Sequence, residues 1–568
     1  MQEASLRHRP ESEDCFLIDK NHLRLRFHTA KDDVQKVIVH YLDSYYDLKT
    51  AQKQEMTKIG SGQVADYYMT TLELPLHRCQ YTFEVVGQDD SHIIYGDRGI
   101  REYNDSNLYD YGQFFKVPYF HEIDMAQTPA WVKETVWYQI FPERFNNGDK
   151  NNDPVGTKPW NSADHPGRED YYGGDLQGVL DKLDYLQELG INGLYFCPIF
   201  KASSNHKYDT IDYLEIDPDF GDKKLFKKLV DEAHKRGMHV MLDAVFNHLG
   251  DQSKEWQDVV KHGRDSKYFD WFHINYLPVT PFKDPSKGEE MPPYDTFAFE
   301  PHMPKLNTAN EEVQKYLLNI ATYWAKEFHI DAWRLDVANE VDHHFWKKFH
   351  VKLMEINPNF YIVGEVWHSS QPWLNGDEFT GVMNYPYTQQ IEDHFLTGKI
   401  SAKMLTQVLF DQLMLYRDCV NSGMLNMLDS HDTARLLTLA DENQDKALNA
   451  LAFELMQPGS PSIYYGTEMA MTGGNDPDCR KPMDWTKTGN AYWQKVHALI
   501  VFRRKYASVL SQSDIKLAVE DDLIVVKHGR ITAYFNTTNY EIKIDKKASV
   551  SNGYQNGVLS PNGYILCE

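Results

Sequence analysis

The sequence predicts an α/β protein built on a (β/α)8 TIM barrel, with additional domains before, within and after the barrel. From Thr135 onward, short apolar segments alternate with amphipathic helical segments, as in a parallel barrel. The first stretch instead alternates apolar and polar positions, which predicts an N-terminal β-sandwich. The same alternation returns after about Tyr506 and predicts a C-terminal all-β domain. The predicted domains are residues 1–124, 125–505 with a loop domain inserted after the third strand at about 249–305, and 506–568.

Apolar segments with turn residues at their ends are the candidate barrel strands. Helical patterns lie between them: Leu176, Val179 and Leu183 share one face, Asp175 is placed to cap that helix, and Gly237 follows another helix as a C-terminal stop. The inserted segment is rich in aromatic residues and proline and shows no clear helical pattern. The predicted strands are ETVWYQIF, GLYFCPIF, VMLDAVFNH, DAWRLDV, FYIVGEVW, FTGVMNY, MLNMLDSHD and PSIYYGTE.

Composition excludes several classes of function. A chain of 568 residues needs more than one hydrophobic core. The net charge of −24 argues against a nucleic-acid partner, because no basic stripe is present to neutralise phosphates. Six cysteines lack paired or metal-type spacing, and the N-terminus lacks the apolar core of a secretion signal. With no apolar run long enough for a membrane span, we expect a cytoplasmic protein.

Carboxylates follow several of the predicted barrel strands. In a parallel barrel the carboxyl ends of the strands meet at one face, where the working residues of barrel enzymes lie. Any one of these acids could be a helix cap or a surface residue, but carboxylates at a buried rim are unfavourable unless they are paired or used. Four segments end in this way: DAVFNH (243–248), DAWRLDVANEVDH (331–343), GEVWH (364–368) and LDSHDTAR (428–435).

Such an arrangement suits glycoside cleavage, in which one carboxylic acid protonates the departing oxygen and a carboxylate attacks the sugar. Arg334 and Asp336 are two residues apart on one strand and share its face, so the guanidinium is expected to keep Asp336 ionised. Glu365 follows an apolar strand, a setting that suits a general acid. His248 and His431 are expected to donate hydrogen bonds to sugar hydroxyls or to these acids. Metal ligation by these histidines is the weaker alternative, because HxH or HExxH spacing is lacking.

In this order the four segments resemble the signature regions of the α-amylase family of glycoside hydrolases. MPKLN (303–307) and VANEVDHHFW (337–346) resemble motifs of the group that contains neopullulanase, cyclomaltodextrinase and maltogenic amylase. The N-terminal segment is similar to the starch-binding-type N-domain of that group. The resemblance covers nearly the whole barrel, and the order of its motifs is highly specific.

The resemblance implies a role for each matching residue. Asp336 matches the nucleophile that forms a covalent glucosyl intermediate, Glu365 the acid/base, and Asp432 the carboxylate that stabilises the distorted transition state. Trp367 and Phe297 are candidate apolar platforms, although single aromatic residues serve protein cores as readily. The implied contacts are Asp243, His248, Arg334, His431, His206 and Tyr208 around the cleaved sugar, Asp476 and Arg480 at the next sugar, and Asn339 and Glu340 on the acceptor side.

The segment RFNNGDKNNDP is dense in oxygen-bearing side chains on a glycine-containing loop. Ca²⁺ prefers such ligands, but on spacing alone a simple Asn/Gly-rich turn explains the segment equally well. The resemblance implies a structural calcium ion held by this loop together with a backbone carbonyl and a nearby aspartate. The predicted ligands are Asn147, Asp149, Asn152, Asp153, Gly173 and Asp175.

We therefore expect a retaining, endo-type hydrolase of α-1,4-glucosidic bonds in cyclodextrins, maltooligosaccharides, pullulan or starch, with transglycosylation and without an organic cofactor. One alternative is an α-1,6-glucosidase or another relative on the same barrel. A second is a non-catalytic glucan-binding protein, which should have lost one of the three carboxylates. The resemblance also implies a homodimer in which the N-terminal domain of one subunit narrows the cleft of the other.

Overall fold

The computed structural model describes residues 1–283, 291–512 and 514–568. Part of the predicted inserted segment, residues 284–290, therefore lies outside the described residues. The N-terminal sandwich, the parallel barrel and the C-terminal antiparallel domain are all present in the predicted order, so the predicted fold class is confirmed. Among the described residues, no helix is long and apolar enough to cross a membrane.

The N-terminal domain consists of two antiparallel sheets, ordered β1-β2-β6-β5 and β4-β3-β7-β8-β9, with β10 paired to β7. Alternation along the strands places one face of each sheet inward, where Leu25, Phe27, Val37, Val39 and Phe83 form a separate core. The strands are β1 (Cys15–Asp19), β2 (His22–Ala30), β3 (Val34–Leu42), β4 (Gln52–Glu55), β5 (Thr57–Ser61), β6 (Ala65–Glu73), β7 (Cys79–Gly87), β8 (His92–Gly96), β9 (Gly99–Glu102) and β10 (Phe115–Val117).

The central sheet is parallel and runs β18-β17-β16-β15-β12-β11-β20-β19. A parallel bridge between Met383 and Leu425 joins its two end strands and closes the barrel. All the predicted barrel strands take part in it. The strands of the barrel, with the hairpin β13–β14 that precedes β15, are β11 (Trp137–Ile140), β12 (Gly193–Phe196), β13 (Phe200–Ala202), β14 (Thr210–Ile216), β15 (His239–Ala244), β16 (Ala332–Leu335), β17 (Tyr361–Gly364), β18 (Gly381–Val382), β19 (Leu425–Asn426) and β20 (Ser460–Tyr464).

Helices surround the barrel, and local sequence explains where they begin and end. Asp175 caps α4 by accepting a hydrogen bond from the Gly178 amide, as predicted, and Gly237 adopts φ +70° after α6. The helices are α1 (Asp105–Leu108), α2 (Ala130–Lys133), α3 (Pro142–Phe145), α4 (Leu176–Asp181), α5 (Leu183–Leu189), α6 (Lys223–Lys235), α7 (Lys254–His262), α8 (Glu311–Tyr323), α9 (His343–Ile356), α10 (Tyr385–Ile391), α11 (Ala402–Met414), α12 (Asp418–Ser422), α13 (Leu436–Leu439), α14 (Gln444–Leu455), α15 (Ala491–Lys505) and α16 (Ala507–Leu510).

The segment inserted after β15 contains a helix, so the expectation that it lacks one was wrong. Helix α7 begins at a Ser253 cap and buries Trp256 and Val259 against the core. Its nine residues are too few for the helical period to stand out beside a stretch rich in proline and aromatic residues. The end of the segment returns to the barrel through a bridge between His248 and Lys305.

The C-terminal domain is an antiparallel sheet in the order β21-β22-β23-β26-β24, with β25 on β26. Ile524, Val526, Ile531 and Phe535 join the core that it shares with the barrel. Its strands are β21 (Lys516–Glu520), β22 (Leu523–His528), β23 (Ile531–Phe535), β24 (Ile542–Lys543), β25 (Val550–Gln555) and β26 (Val558–Cys567).

The N-terminal domain packs directly on the barrel. The Tyr67 hydroxyl donates to the Asp411 carboxylate at 2.6 Å, and the buried Arg26 guanidinium donates to the Tyr416 carbonyl at 2.7 Å. Gly60 lies so close to Phe410 that a Cβ atom there would approach the ring to 2.5 Å. The domain is therefore held by specific polar contacts and by a close backbone approach.

Candidate active site

The period of two along the barrel strands brings the predicted catalytic residues to one place. On β16, Trp333 and Leu335 pack outward against the helices, while Ala332 and Arg334 face the barrel axis. Asp336 continues the inward face just beyond the strand. Arg334 pairs in register with Asp243 on β15 and with Val363 on β17, so the strand ends that carry the acids are adjacent.

A single buried guanidinium binds three of the predicted carboxylates. Nη1 of Arg334 lies 2.9 Å from both carboxylate oxygens of Asp243 and 2.8 Å from Oδ1 of Asp336. Nη2 forms an ion pair with Oε2 of Glu365 at 2.9 Å. Because Arg334 is fully buried, these interactions are weakly screened, and losing the cation would leave three acids facing one another.

The charge balance of this cluster differs from the sequence-based expectation. Burial raises the pKa of Asp336 well above its usual value; Arg334 opposes the shift, and repulsion from Glu365 and Asp243 adds to it. Burial likewise raises the pKa of Asp243, to about 6. The expectation that Arg334 keeps Asp336 ionised was thus incomplete, because one cation is shared among three anions.

Glu365 is held by a hydrogen bond to each carboxylate oxygen. The Val337 amide donates to Oε2 and the Trp367 indole donates to Oε1, both at 2.9 Å. Trp367 stacks on Tyr385 with 3.7 Å between ring centroids, yet half of its surface is exposed. It therefore forms an aromatic surface next to Glu365 that remains open to a ligand.

A chain of hydrogen bonds approaches the cluster from the first strand. The side-chain amide of Gln139 donates to Nδ1 of His431 at 2.8 Å, so Nε2 of that ring carries the proton. Nε2 lies 2.6 Å from the Tyr208 hydroxyl, which donates to Asp243 at 2.9 Å. Burial, with Arg480 and Arg334 nearby, lowers the pKa of His431 well below its usual value and keeps the ring neutral. Sequence reasoning found His431, Tyr208 and Asp243 but missed Gln139, a polar residue within an apolar strand.

Asp432 binds Arg480 and His431 instead of Arg334, and its side chain is partly exposed. Its carboxylate lies 3.3 Å from Nη2 of Arg480 and 3.2 Å from Nε2 of His431. The other arm of Arg480 pairs with Asp476 at 2.9 Å. Arg480 therefore joins Asp432 to the loop that was predicted to bind the next sugar.

The remaining predicted contacts border this region. Nε2 of His248 donates to the Tyr208 carbonyl at 3.1 Å, and its ring stacks on Phe297 with 5.5 Å between centroids. The Tyr208 amide donates to Nδ1 of His206 at 3.1 Å. Burial lowers the pKa values of His206 and His248 to about 3, so both rings are neutral hydrogen-bonding groups.

Asn339 and Glu340 lie on the exposed rim, in a single turn that follows Asp336. Glu340 pairs with Lys305 at 3.2 Å. Lys305 belongs to the MPKLN segment, and sequence reasoning used it only as part of that motif. These residues do not touch the Arg334 cluster directly.

The predicted calcium ligands form a separate cluster, and their arrangement suits a cation that prefers oxygen ligands. The side-chain oxygens of Asn147 and Asn152 are buried and accept no hydrogen bond, which is unfavourable unless another group satisfies them. Asp175 accepts from the Gly148 and Asp149 amides, and a Cβ atom on Gly173 would lie 2.2 Å from Asp153. The carboxylate of Asp149 instead accepts from Asn151.

In the described part of the chain, no group of three or more His, Cys, Asp or Glu side chains is arranged to hold a metal. The loop after β11 instead offers amide and backbone oxygens beside its carboxylates. All six cysteines are free thiols.

Comparison with known proteins identifies the two larger domains. A family model described as the alpha amylase catalytic domain matches residues 139–523. A second model, described as the alpha amylase N-terminal ig-like domain, matches residues 1–121.

The similar proteins carry the names of enzymes that act on glucans. The chain is 48% identical over 527 residues to the intracellular maltogenic amylase of Bacillus subtilis, covering 92% of this chain and 88% of that protein. A cyclomaltodextrinase of Geobacillus thermopakistaniensis is 45% identical over the same shares of the two chains. A solved cyclomaltodextrinase structure has a TM-score of 0.90 at 39% identity, covering 100% of this chain and 98% of that chain. The chain therefore belongs to the alpha-amylase family of glycoside hydrolases.

Proposed function

We propose that this glycoside hydrolase cleaves α-1,4-glucosidic bonds in cyclodextrins, maltooligosaccharides, pullulan or starch, retains the anomeric configuration, and also transfers glucosyl units to other sugars. The observation that carries the proposal is the Arg334 guanidinium, which holds Asp336 and Glu365 in one buried cluster. Relatives named maltogenic amylase, cyclomaltodextrinase and neopullulanase support the substrate class.

In the first step, the Asp336 carboxylate attacks the anomeric carbon while Glu365 donates its proton to the departing glycosidic oxygen. The carbon–oxygen bond breaks, and the sugar is held as an ester on Asp336. Retaining enzymes need their two carboxyl groups roughly 5 Å apart. Contact of both groups with the same guanidinium supports that short spacing.

In the second step, Glu365 takes a proton from water, and the oxygen attacks the same carbon to release Asp336. A hydroxyl of another sugar replaces water when transfer occurs. The partly exposed Asp432 carboxylate would accept hydrogen bonds from sugar hydroxyls, and Trp367 offers an exposed aromatic face beside Glu365.

An α-1,6 specificity is the second candidate. A solved structure described as cyclic alpha-maltosyl-(1→6)-maltose hydrolase, from Arthrobacter globiformis, is 34% identical and covers 78% of this chain. A non-catalytic binding role has weaker support, because Asp336 and Glu365 are both present, both buried and both in contact with Arg334.

We further propose a structural calcium ion bound by Asn147, Asn152, Asp153, Asp175 and the Gly173 carbonyl, with Asp149 nearby. The support is the pair of buried amide oxygens without a hydrogen-bond partner. When bound, the ion would satisfy those oxygens and hold the loop after β11; it takes no part in bond cleavage.

We also propose that the protein forms a homodimer through its N-terminal domain, and that it is located in the cytoplasm. For the dimer, Tyr45, Tyr46 and Tyr119 expose large aromatic surfaces on that domain, with Tyr45 81% exposed, and such surfaces are typical of interfaces. The unpaired cysteines and the name of the intracellular relative support the location.

Replacing Asp336 with asparagine is expected to reduce turnover of cyclodextrin, pullulan and starch to below a few per cent, because the amide cannot form the ester. Chromatography of the products on the three substrates measures this, and the wild-type products also define the preference. Asp377→Asn, at an exposed ion pair with Lys347, is the control and should keep full activity. Substantial turnover by a folded Asp336→Asn protein would refute the assignment.

The raised pKa of Asp336 determines the acid side of the pH profile. Asp336 must be ionised to attack the sugar. As the pH is lowered, kcat/KM should therefore begin to fall at a pH well above the pKa of about 4 of an ordinary aspartate. Asp243→Asn removes a repelling neighbour and leaves more of Arg334 for Asp336, so the acid limb should move to lower pH. An unmoved or higher acid limb in that variant would contradict this electrostatic explanation.

Calcium is expected to raise the unfolding temperature of protein stripped with chelator, because it binds the folded loop only. Calorimetry with added Ca²⁺ measures the increase, and Asn147→Leu and Asn152→Leu should both abolish it. Asn151→Ala, which changes an exposed neighbouring amide, should not. Equal unfolding temperatures with and without calcium, and no heat of binding, would exclude the site.

The dimer is expected to be visible by light scattering at micromolar protein concentration. Tyr45→Ser combined with Tyr46→Ser should shift the mass toward the monomer and lower activity on cyclodextrin relative to starch. A wild-type protein that is monomeric and fully active on cyclodextrin would contradict the proposed assembly.

A further inference from the structure

Lys305 connects two segments at the rim of the candidate active site. Its ammonium donates to the side-chain oxygen of Asn247 and, at 3.1 Å, to the backbone carbonyl of Glu340. It also lies 3.2 Å from the Glu340 carboxylate. The ammonium of Lys305 therefore contacts residues in the loops that follow β15 and β16.

The backbone beneath this lysine is fixed. The Leu249 amide donates to the Pro304 carbonyl at 3.1 Å, and the Leu306 amide donates to the Asn247 carbonyl at 2.9 Å. Lys305 itself forms a β-bridge with His248. Because the stem starts from a paired strand-like segment, the ammonium has a defined position, and the Lys305 side chain as a whole is 20% exposed.

The turn that Lys305 holds is strained at its start. Val337 has φ +47° and ψ +41°, the left-handed conformation that β-branched residues rarely adopt. Such strain persists only where the surroundings impose it. In this conformation the Val337 amide points at Glu365 and donates to it at 2.9 Å. Lys305 holds the other end of the turn at Glu340, and the Trp346 indole holds the Ala338 carbonyl between them.

We propose that Lys305 is a positioning residue that holds the Val337–Glu340 turn. It thereby maintains the Val337 hydrogen bond to Glu365 and keeps the Glu340 carboxylate in place on the acceptor side. This inference rests on the proposed function, since it assigns Glu365 as acid/base and Glu340 to the acceptor side. Lys305 acts on the reaction through these two residues and does not touch the reacting atoms.

Lys305→Met keeps the length of the side chain but removes its charge and all its donors. We expect kcat for hydrolysis to fall about tenfold, because a small misplacement of the acid/base has large effects on rate. The KM for the donor sugar should change little. The ratio of transfer to hydrolysis products, at a fixed acceptor concentration, should fall several-fold. Lys305→Arg restores a cation with several donors and should recover part of both losses.

Lys305 contacts both the carboxylate and the backbone carbonyl of Glu340. Glu340→Gln removes the ion pair with the carboxylate and leaves the hydrogen bond to the carbonyl. It should lower the transfer ratio with little loss of hydrolytic kcat. In the Lys305→Met, Glu340→Gln double variant the effects on transfer should be non-additive, as expected for residues that act as a unit. Lys201→Met, at an exposed lysine on β13, is the control and should behave as wild type.

Wild-type kcat and transfer ratio in folded Lys305→Met protein would overturn the inference, as would fully additive effects in the double variant. Both results would leave the assignment of Asp336 intact, since that depends on the activity of Asp336→Asn. Should Lys305→Met fail to fold, Lys305→Arg and Glu340→Gln still provide the test: an unchanged transfer ratio in Glu340→Gln would overturn the acceptor-side role.

Discussion

The candidate active site depends on one buried cation. Arg334 lies on the axis-facing side of its strand and contacts Asp243, Asp336 and Glu365, each from a different strand end. Without it the three carboxylates would be desolvated next to one another, which is strongly unfavourable. The closed barrel places these strand ends together, and the cation allows the acids to remain there. The Arg334 side chain therefore links the barrel fold to the arrangement of the three acids.

Next to Arg334, a chain of neutral side chains determines which groups donate and which accept the hydrogen bonds that lead to Asp243. Gln139 fixes the tautomer of His431, which in turn orients Tyr208 toward Asp243. The neutral histidines serve as hydrogen-bonding groups that add no further ion to a crowded cluster. Besides its ion pair with Arg334, Glu365 is held by one indole and one backbone amide, so its position also depends on the turn that begins at Val337.

Sequence reasoning predicted the parts of the site that depend on strand position. A barrel strand ending in Arg-Leu-Asp places Arg334 and Asp336 on one face, and the other acids follow the same rule. It missed Gln139, because a single amide in an apolar strand carries no distinguishing pattern. It could not foresee the role of Lys305, since contact with Glu340 depends on how a long inserted segment returns to the barrel. The strained backbone of Val337 is likewise invisible in the sequence, because valine gives no sign of a left-handed conformation.

In the proposed mechanism, Asp336 forms the covalent bond to the sugar while Glu365 moves the proton. A fluorinated α-glucosyl fluoride that forms its ester quickly and releases it slowly would trap that bond. Mass spectrometry of the digested protein should then find one added sugar on the peptide that contains Asp336, and none on Asp336→Asn protein. A label on Asp432 or Glu365, or turnover of the reagent without any trapped ester and with inversion of the product, would contradict the account.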